Sequence, residues 1–435
     1  MKFTIKKDRL LMILLYFLIK VSLDFMYCSY IVPLWGYMGF VLSKSFSAYV
    51  ISFIYVFLLS ISVPVKVKKT SDLFLHILAL CPLIPMLTIY AFSFATHEYM
   101  AVCILSFFII LICVNFLFPS VSPKTLYKGY KIAFGISIFF IFLVTLHIIS
   151  LGGLRFFNLK LSKVYEFRRA SAHVVAQGLY AYLNNWVFKV FNMFIFTWSL
   201  YKNKKLLIAI SLILQVFFFA VSAHKSVLFF PLVIVLIKYI SQKKRLSLLL
   251  PTLYLLGSWF SLTIYSFFNN IWPLSLYVRR LLFVPAFLNF KYFAFFQNNP
   301  MVYFSNSFLK KFINYPYDIA PPLLVSTFIG QNPQAWANTG FLGTGYAHMG
   351  YWGIVFYAFL LGLVLKFTDD TTYNKLPLWV GSSLIAVPII TVFMSSDLTT
   401  GLLTHGLALA VFLLWLAKTA NLNRAKEKIF DNQIF

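Results

Sequence analysis

The chain alternates between apolar stretches of about 20 residues, the length a helix needs to cross a bilayer, and shorter polar connections. Read by hydropathy, the apolar stretches predict about twelve transmembrane helices, at 10–31, 45–65, 73–95, 99–118, 132–151, 178–200, 206–222, 226–240, 246–268, 346–366, 377–395 and 401–417. The expected fold class is therefore all-α, a polytopic integral membrane protein. Every second connection is basic: Lys66, Lys68 and Lys69; Lys124, Lys128 and Lys131; Lys202, Lys204 and Lys205; Lys243, Lys244 and Arg245. The tail adds Lys418, Arg424, Lys426 and Lys428. Connections that stay in the cytoplasm retain Lys and Arg, so the alternation predicts a multi-pass protein with both termini cytoplasmic. Lys2, Lys6, Lys7 and Arg9 lead into a first span that is too long for a cleaved leader and lacks a small-residue cleavage site, which predicts a signal anchor.

Two stretches break the alternation and define the expected organisation. Residues 1–268 hold helices 1 to 9 and a shorter periplasmic loop at 152–177; residues 269–345 form a large, partly helical periplasmic loop; residues 346–435 hold helices 10 to 12 and a basic cytoplasmic tail. Loops as long as 269–345 are functional or disordered, and this one is too aromatic for disorder. Arg279 and Arg280 lie near its start, Lys310 and Lys311 near its middle, and Gly340, Gly343 and Gly345 at its exit. On this topology Arg155, Arg168, Arg169, Arg279 and Arg280, five of the eight arginines, are external. Lysine would serve topology equally well. The planar guanidinium fork instead suits bidentate contact with phosphate oxygens, the plainer alternative being lipid headgroups or a pairing with Glu166.

Composition agrees with a membrane protein: of 435 residues, 61% are hydrophobic and 11% charged. A soluble domain carries about 25% charged residues. A net charge of +26 would suggest nucleic acid in a soluble chain, but here topology accounts for it, and no nucleic-acid partner is expected. Cys28, Cys81, Cys103 and Cys113 lie in or beside apolar spans without a CxxC or CxxH pair, so neither disulfides nor structural zinc are expected.

Charges within spans are costly and mark structure or function. Lys20 and Asp24, four residues apart on one helix face, neutralise each other. Lys189, one turn after Asn185, must face protein or a wet cavity, and is a candidate both for structure and for substrate binding. Lys225, next to His224 at a helix end, either snorkels or adds charge to an outer site.

The chain has no P-loop, GxSxG elbow, HExxH or GxGxxG. Its clustered carboxylates, Asp369 and Asp370, fall on the cytoplasmic side, so no metal site or cofactor is expected. ATP and nucleotide sugars are not available outside the cell membrane. A phosphate-bearing substrate there is most simply lipid-linked, with a pyrophosphate leaving group that cations stabilise. Glycosyl transfer from it needs an acceptor for a hydroxyl proton, for which His348, Glu166, His173 and Asp318 are external candidates. Sugars stack on aromatic rings, offered here by Trp272, Tyr292, Tyr303, Tyr315, Tyr317 and Trp336. The bland readings are a packed histidine at a helix mouth and a turn at Asp318 in NYPYDIAPP.

The segments YEFRRASAHVVAQGLYAYLNNWVFK, SAHKS, RRLLFVPAFLNFKYFAFFQNNP and ANTGFLGTGYAHMGYWGIVFYAFLLG, set in this topology, resemble the Wzy-type O-antigen polymerases. These are glycosyltransferases of the bacterial inner membrane that join oligosaccharide repeat units carried on undecaprenyl pyrophosphate. The resemblance implies contacts to pyrophosphate and glycan at Arg168, Arg169, Arg279 and Arg280, with Lys225, Lys189, Tyr292 and Asn338 as further substrate contacts and His348 and Glu166 as catalytic candidates. It also implies membrane lipids and a separate chain-length regulator as partners. O-antigen ligases carry a histidine before a GxxG in the outer loop; here His348 follows Gly340 and Gly343. A flippase of the same lipid-linked unit, a ligase and a non-catalytic scaffold are the competing readings.

Overall fold

A computed structural model describes residues 2–117, 119–120, 123–160, 167, 178–330 and 335–418. Helices account for all the regular structure among these residues, and there are no strands. The principal helices are α1 (Lys6–Met38), α2 (Phe46–Ser62), α3 (Thr70–Phe92), α4 (His97–Leu117), α5 (Gly129–Ser150) and α6 (178–201). They continue as α7 (Lys205–Ser222), α8 (Lys225–Ser241), α9 (Leu246–Phe268), α10 (Ile271–Phe296), the short α11 (Pro321–Phe328), α12 (Phe341–Thr372), α13 (Leu378–Met394) and α14 (Leu398–Ala417). Among the described residues nine helices are long and apolar enough to cross a membrane, and α2 and α13 are shorter apolar helices. The chain is thus a membrane-embedded helical protein.

The bundle has two distinct ends. At one, Arg9 of α1 donates to the carbonyls of Ser60 and Val63 at the close of α2 (2.9 and 2.7 Å). Ser71 at the start of α3 donates its backbone N–H to Asp369 near the end of α12 (3.0 Å), and its hydroxyl bonds the same carboxylate. Lys418, at the end of α14, reaches the Pro123 carbonyl at 2.6 Å, and Arg245 before α9 lies 3.7 Å from Asp8. The basic connections gather here, and the described residues near both termini share this end. At the opposite end, Tyr27 donates to the Val41 carbonyl at 3.0 Å, and Phe293, Tyr99 and Tyr346 pack ring on ring.

In the interior, Lys20 and Asp24 of α1 pair at 2.5 Å. Thr88 of α3 donates to the same carboxylate at 2.8 Å. The ammonium lies over the rings of Tyr49, Phe53 and Phe92. The pair is satisfied without any outside partner, as its four-residue spacing predicts.

The interval 269–345 departs from a simple outer loop, because it opens with α10. Arg279, Arg280 and Lys291, with Pro273 and Pro285, interrupt its hydropathy, yet the helix has the length and apolarity of a span. It does not run end to end. It follows Phe268 of α9, whose Tyr265 packs on Tyr30 of α1, and it finishes with Phe293 stacked on Tyr99 at 4.5 Å. Both of its ends therefore lie at the end opposite the lysines, and the helix stays in that half of the bundle.

A second departure lies in α12, where a straight span over 346–366 is expected. The helix breaks at Met349 and Gly350, and Gly350 adopts φ 60°, ψ −142°, a backbone open to glycine. The chain folds back on itself there: a Cβ on Gly353 would lie 1.9 Å from the Gly345 carbonyl oxygen. Phe341–His348 is thus a separate short arm laid against the long helix that follows.

Candidate functional site

The short arm makes one wall of a cavity of about 370 Å³. This falls within the roughly 300–1,000 Å³ of ordinary ligand pockets. Tyr292 of α10, Thr344 and His348 of the arm, Trp336 and Asn338 before it, Asp397 and Thr400 around the start of α14, and His405 within α14 are among the lining residues. All of these lie at the end away from the lysines. The walls combine hydroxyl, amide and aromatic groups with the apolar Pro321, Pro322 and Ala347.

Close approach explains the Gly340–Gly343 pair. A Cβ on Gly340 would lie 2.1 Å from the Phe393 carbonyl oxygen of α13, and one on Gly343 would lie 2.9 Å from Asn289 Oδ1 of α10. Asn289 uses that oxygen to accept the Gly343 N–H at 2.7 Å, which fixes the arm on α10. At the arm's other end, the carbonyls of Ala347 and His348 accept from the N–H groups of Val302 and Tyr303 (2.8 and 3.1 Å). Those carbonyls are ones a helix end leaves unsatisfied.

His348, one of the candidate bases, is fully engaged. Its Nδ1 accepts the Phe304 N–H at 3.2 Å, so the ring proton sits on Nε2 and is donated to Asp397 Oδ2 at 3.1 Å. Phe304 also stacks on the imidazole, with centroids 4.3 Å apart. With neither nitrogen open, His348 positions Asp397 in this arrangement and does not offer a base. Asp397 is equally committed. Oδ2 also accepts from Tyr357 at 2.7 Å, and Oδ1 accepts the N–H groups of Thr399 and Thr400 (2.8 and 3.3 Å) and the Thr399 hydroxyl. Burial pushes this carboxyl up, but hydrogen bonds from His348, then Thr399 and Tyr357, outweigh it and hold the group at about 2. A carboxylate so stabilised is a structural hub and a poor proton acceptor.

Two lining groups remain uncommitted. The Tyr292 hydroxyl is buried and has no hydrogen-bond partner among the described residues. His405 turns Nδ1 toward Lys189 Nζ of α6, 2.6 Å away. Lys189 thus stands one residue behind the cavity wall.

Tyr292, Asn338 and His348 come together at the cavity, and Lys189 joins them through His405. The arginines do not. Arg279 is 8% exposed and lies under Trp35 (4.9 Å to the ring), with Ser275 Oγ 2.7 Å from Nη2 and Met38 as a further partner. None of those partners lines the cavity. Arg280 is exposed, because consecutive helical residues point in different directions. Arg279 and Arg280, expected as pyrophosphate or glycan contacts, thus lie apart from this cavity. Lys225 is exposed at the start of α8 and is not among the lining residues, and Asp318 is exposed. Glu166, Arg168, Arg169 and His173 lie outside the described residues.

Sequence reasoning missed Asp397, Tyr357 and His405. Asp397 carried a visible signal: it is a carboxylate in a short polar break, SSD, between two apolar runs at the non-lysine end. Comparison with family models, with curated proteins and with solved structures finds no match.

Proposed function

We propose that the protein is an O-antigen polymerase, a glycosyltransferase of the bacterial inner membrane that joins undecaprenyl-pyrophosphate-linked oligosaccharide repeat units on the periplasmic side. The observation that carries this reading is the cavity, with hydroxyl, amide and aromatic groups among its lining, set at the end of the bundle away from the lysines. Lysine-rich connections stay in the cytoplasm, so that end faces the periplasm, where lipid-linked sugars are the available donors. The full topology of the proposal is twelve passes, with both termini cytoplasmic and α10 confined to the periplasmic half.

The growing glycan is the donor and leaves its lipid pyrophosphate; a hydroxyl of the incoming unit attacks the anomeric carbon. Trp336, Asn338, Ser307 and Asn306 line the cavity and offer stacking and hydrogen bonds to sugars. Specificity in such a site comes from groups left unpaired by the wrong sugar. The His348–Asp397–Tyr357 cluster holds the arm and the start of α14 in register around the acceptor. Glu166, one of the candidate proton acceptors, is the one this proposal assigns to the acceptor hydroxyl. The cavity draws its lining from one end of the bundle only, which favours an enzyme over a flippase.

The test is the surface-polysaccharide ladder of cells lacking this gene alone. Collapse to core bearing a single repeat unit supports the polymerase. Loss of every unit, the single one included, supports the flippase or the ligase, and an unchanged ladder rejects all three.

A further inference from the structure

We infer that the cavity contains a diphosphate subsite built from Lys189, acting through His405, and from the Tyr292 hydroxyl. The identity of the anion rests on the lipid-linked donor of the proposed function; the existence of an anion site rests on geometry. An ammonium group only donates hydrogen bonds, so His405 Nδ1 must accept from Lys189 at 2.6 Å, and the ring proton sits on Nε2. His405 lines the cavity, and Nε2 has no partner among the described residues. The lysine's charge is thereby carried to the cavity wall as a polarised N–H donor.

No carboxylate answers that charge. Among the described residues Lys189 is in no ion pair. Asp397, the carboxylate on the cavity wall, has both oxygens occupied by His348, Tyr357, Thr399 and Thr400. Lys189 is half-buried, and a cation partly withdrawn from water favours a counter-charge, which the cavity can admit. The second, independent sign is Tyr292. Tyr292 lines the cavity and is 0% exposed, and its hydroxyl has no partner among the described residues. Native proteins rarely leave such a group unsatisfied without a functional reason. A sugar hydroxyl would satisfy both donors but would leave the lysine charge unanswered. A diphosphate, rich in acceptor oxygens and anionic, does both. It would put the leaving group of glycosyl transfer at the inner wall, beneath the residues that suit sugars. None of the arginines is required for it.

The experiment is calorimetric titration of the full chain, in nanodiscs of phosphatidylcholine, with inorganic pyrophosphate. One site per chain is expected. Lys189→Met and His405→Gln should each weaken it roughly tenfold or more, the worth of a charge-assisted hydrogen bond. Tyr292→Phe removes an oxygen that makes no hydrogen bond in the fold, so it should weaken binding with thermal unfolding unchanged; this variant and His405→Gln decide the matter should Lys189→Met fail to fold. Farnesyl diphosphate should compete with pyrophosphate, whereas nanodiscs of phosphatidylglycerol should not block it; blocking there would reassign the site to a lipid headgroup. Equal affinity across wild type and all three variants overturns the subsite. The two readings fail separately: an unchanged ladder in the deletion strain with variant-sensitive binding removes the polymerase and keeps the anion site, and a collapsed ladder with variant-insensitive binding does the reverse.

Discussion

Lys20 and Lys189 both lie within the helical bundle, but Lys20 ends on a carboxylate while Lys189 ends on an imidazole at a cavity wall. Lys20 meets Asp24 one turn away, Thr88 completes the pair, and three aromatic rings close around it. Lys189 meets His405, 216 residues further along the chain, and no carboxylate follows among the described residues. The first cluster is complete in the folded protein. The second is complete only with something bound. A charge inside the bundle is therefore a functional signal when its neighbours leave it unanswered, and a structural one when they do not.

The largest expected effect falls on the complete pair. Asp24→Asn strands a buried ammonium and should cost about 3–5 kcal/mol of stability. Adding Lys20→Met to it should recover most of that loss. Thermal unfolding of the purified protein reads both, and a single variant as stable as wild type would remove the contrast between the two lysines.

Asp397 is an intermediate case, since its partners are hydrogen-bond donors from four residues. Asp397→Asn should cost about 1–3 kcal/mol and shorten the polysaccharide ladder. Its pH dependence has a definite sign. The carboxyl is held at about 2, below its ordinary 3.8, so its contribution to stability is complete above about pH 4 and fades as pH falls toward 2. The stability gap between wild type and Asp397→Asn should therefore narrow from pH 5 to pH 3, and a gap that widens would contradict the assignment.

Lys189→Met should behave as the converse of Asp24→Asn. Removing a cation that lacks a counter-charge should leave stability within about 1 kcal/mol of wild type, or raise it, while the ladder collapses. Severe unfolding would make Lys189 another structural lysine. The smallest effect on stability is expected for Tyr292→Phe, a gain of about 1 kcal/mol or less from deleting an orphan hydroxyl. A measurable loss would mean that the hydroxyl has a partner in the fold.

What the sequence disclosed follows from the range of each interaction. The Lys20–Asp24 pair is local, so its spacing announced it. The basic connections mark one end of the bundle because charge placement needs no tertiary detail. Tyr292 and Asn338 stood out as aromatic or polar groups in an unusual interval and His348 as a histidine just beyond it, and they share a cavity. His405 gave no sign, because its importance comes from a partner on a distant helix. His348 was visible as a residue, but its role depends on a backbone N–H of Phe304 and on Asp397, neither of which a linear pattern relates to it. Hydropathy likewise reports nothing of φ, so the reversal at Gly350 was invisible, and α10 was obscured by its own arginines and prolines.

The confinement of α10 has a consequence for biogenesis. To an insertion machine reading the nascent chain, Ile271–Phe296 has the length and apolarity of a stop-transfer segment. Were it threaded through, every later helix would enter upside down, and α12 to α14 would carry the cavity's second half to the wrong face of the membrane. Arg279, Arg280 and Lys291 are the charges that oppose such threading. In the proposed topology their first service to the protein is then to keep this segment from halting translocation, before any substrate is met.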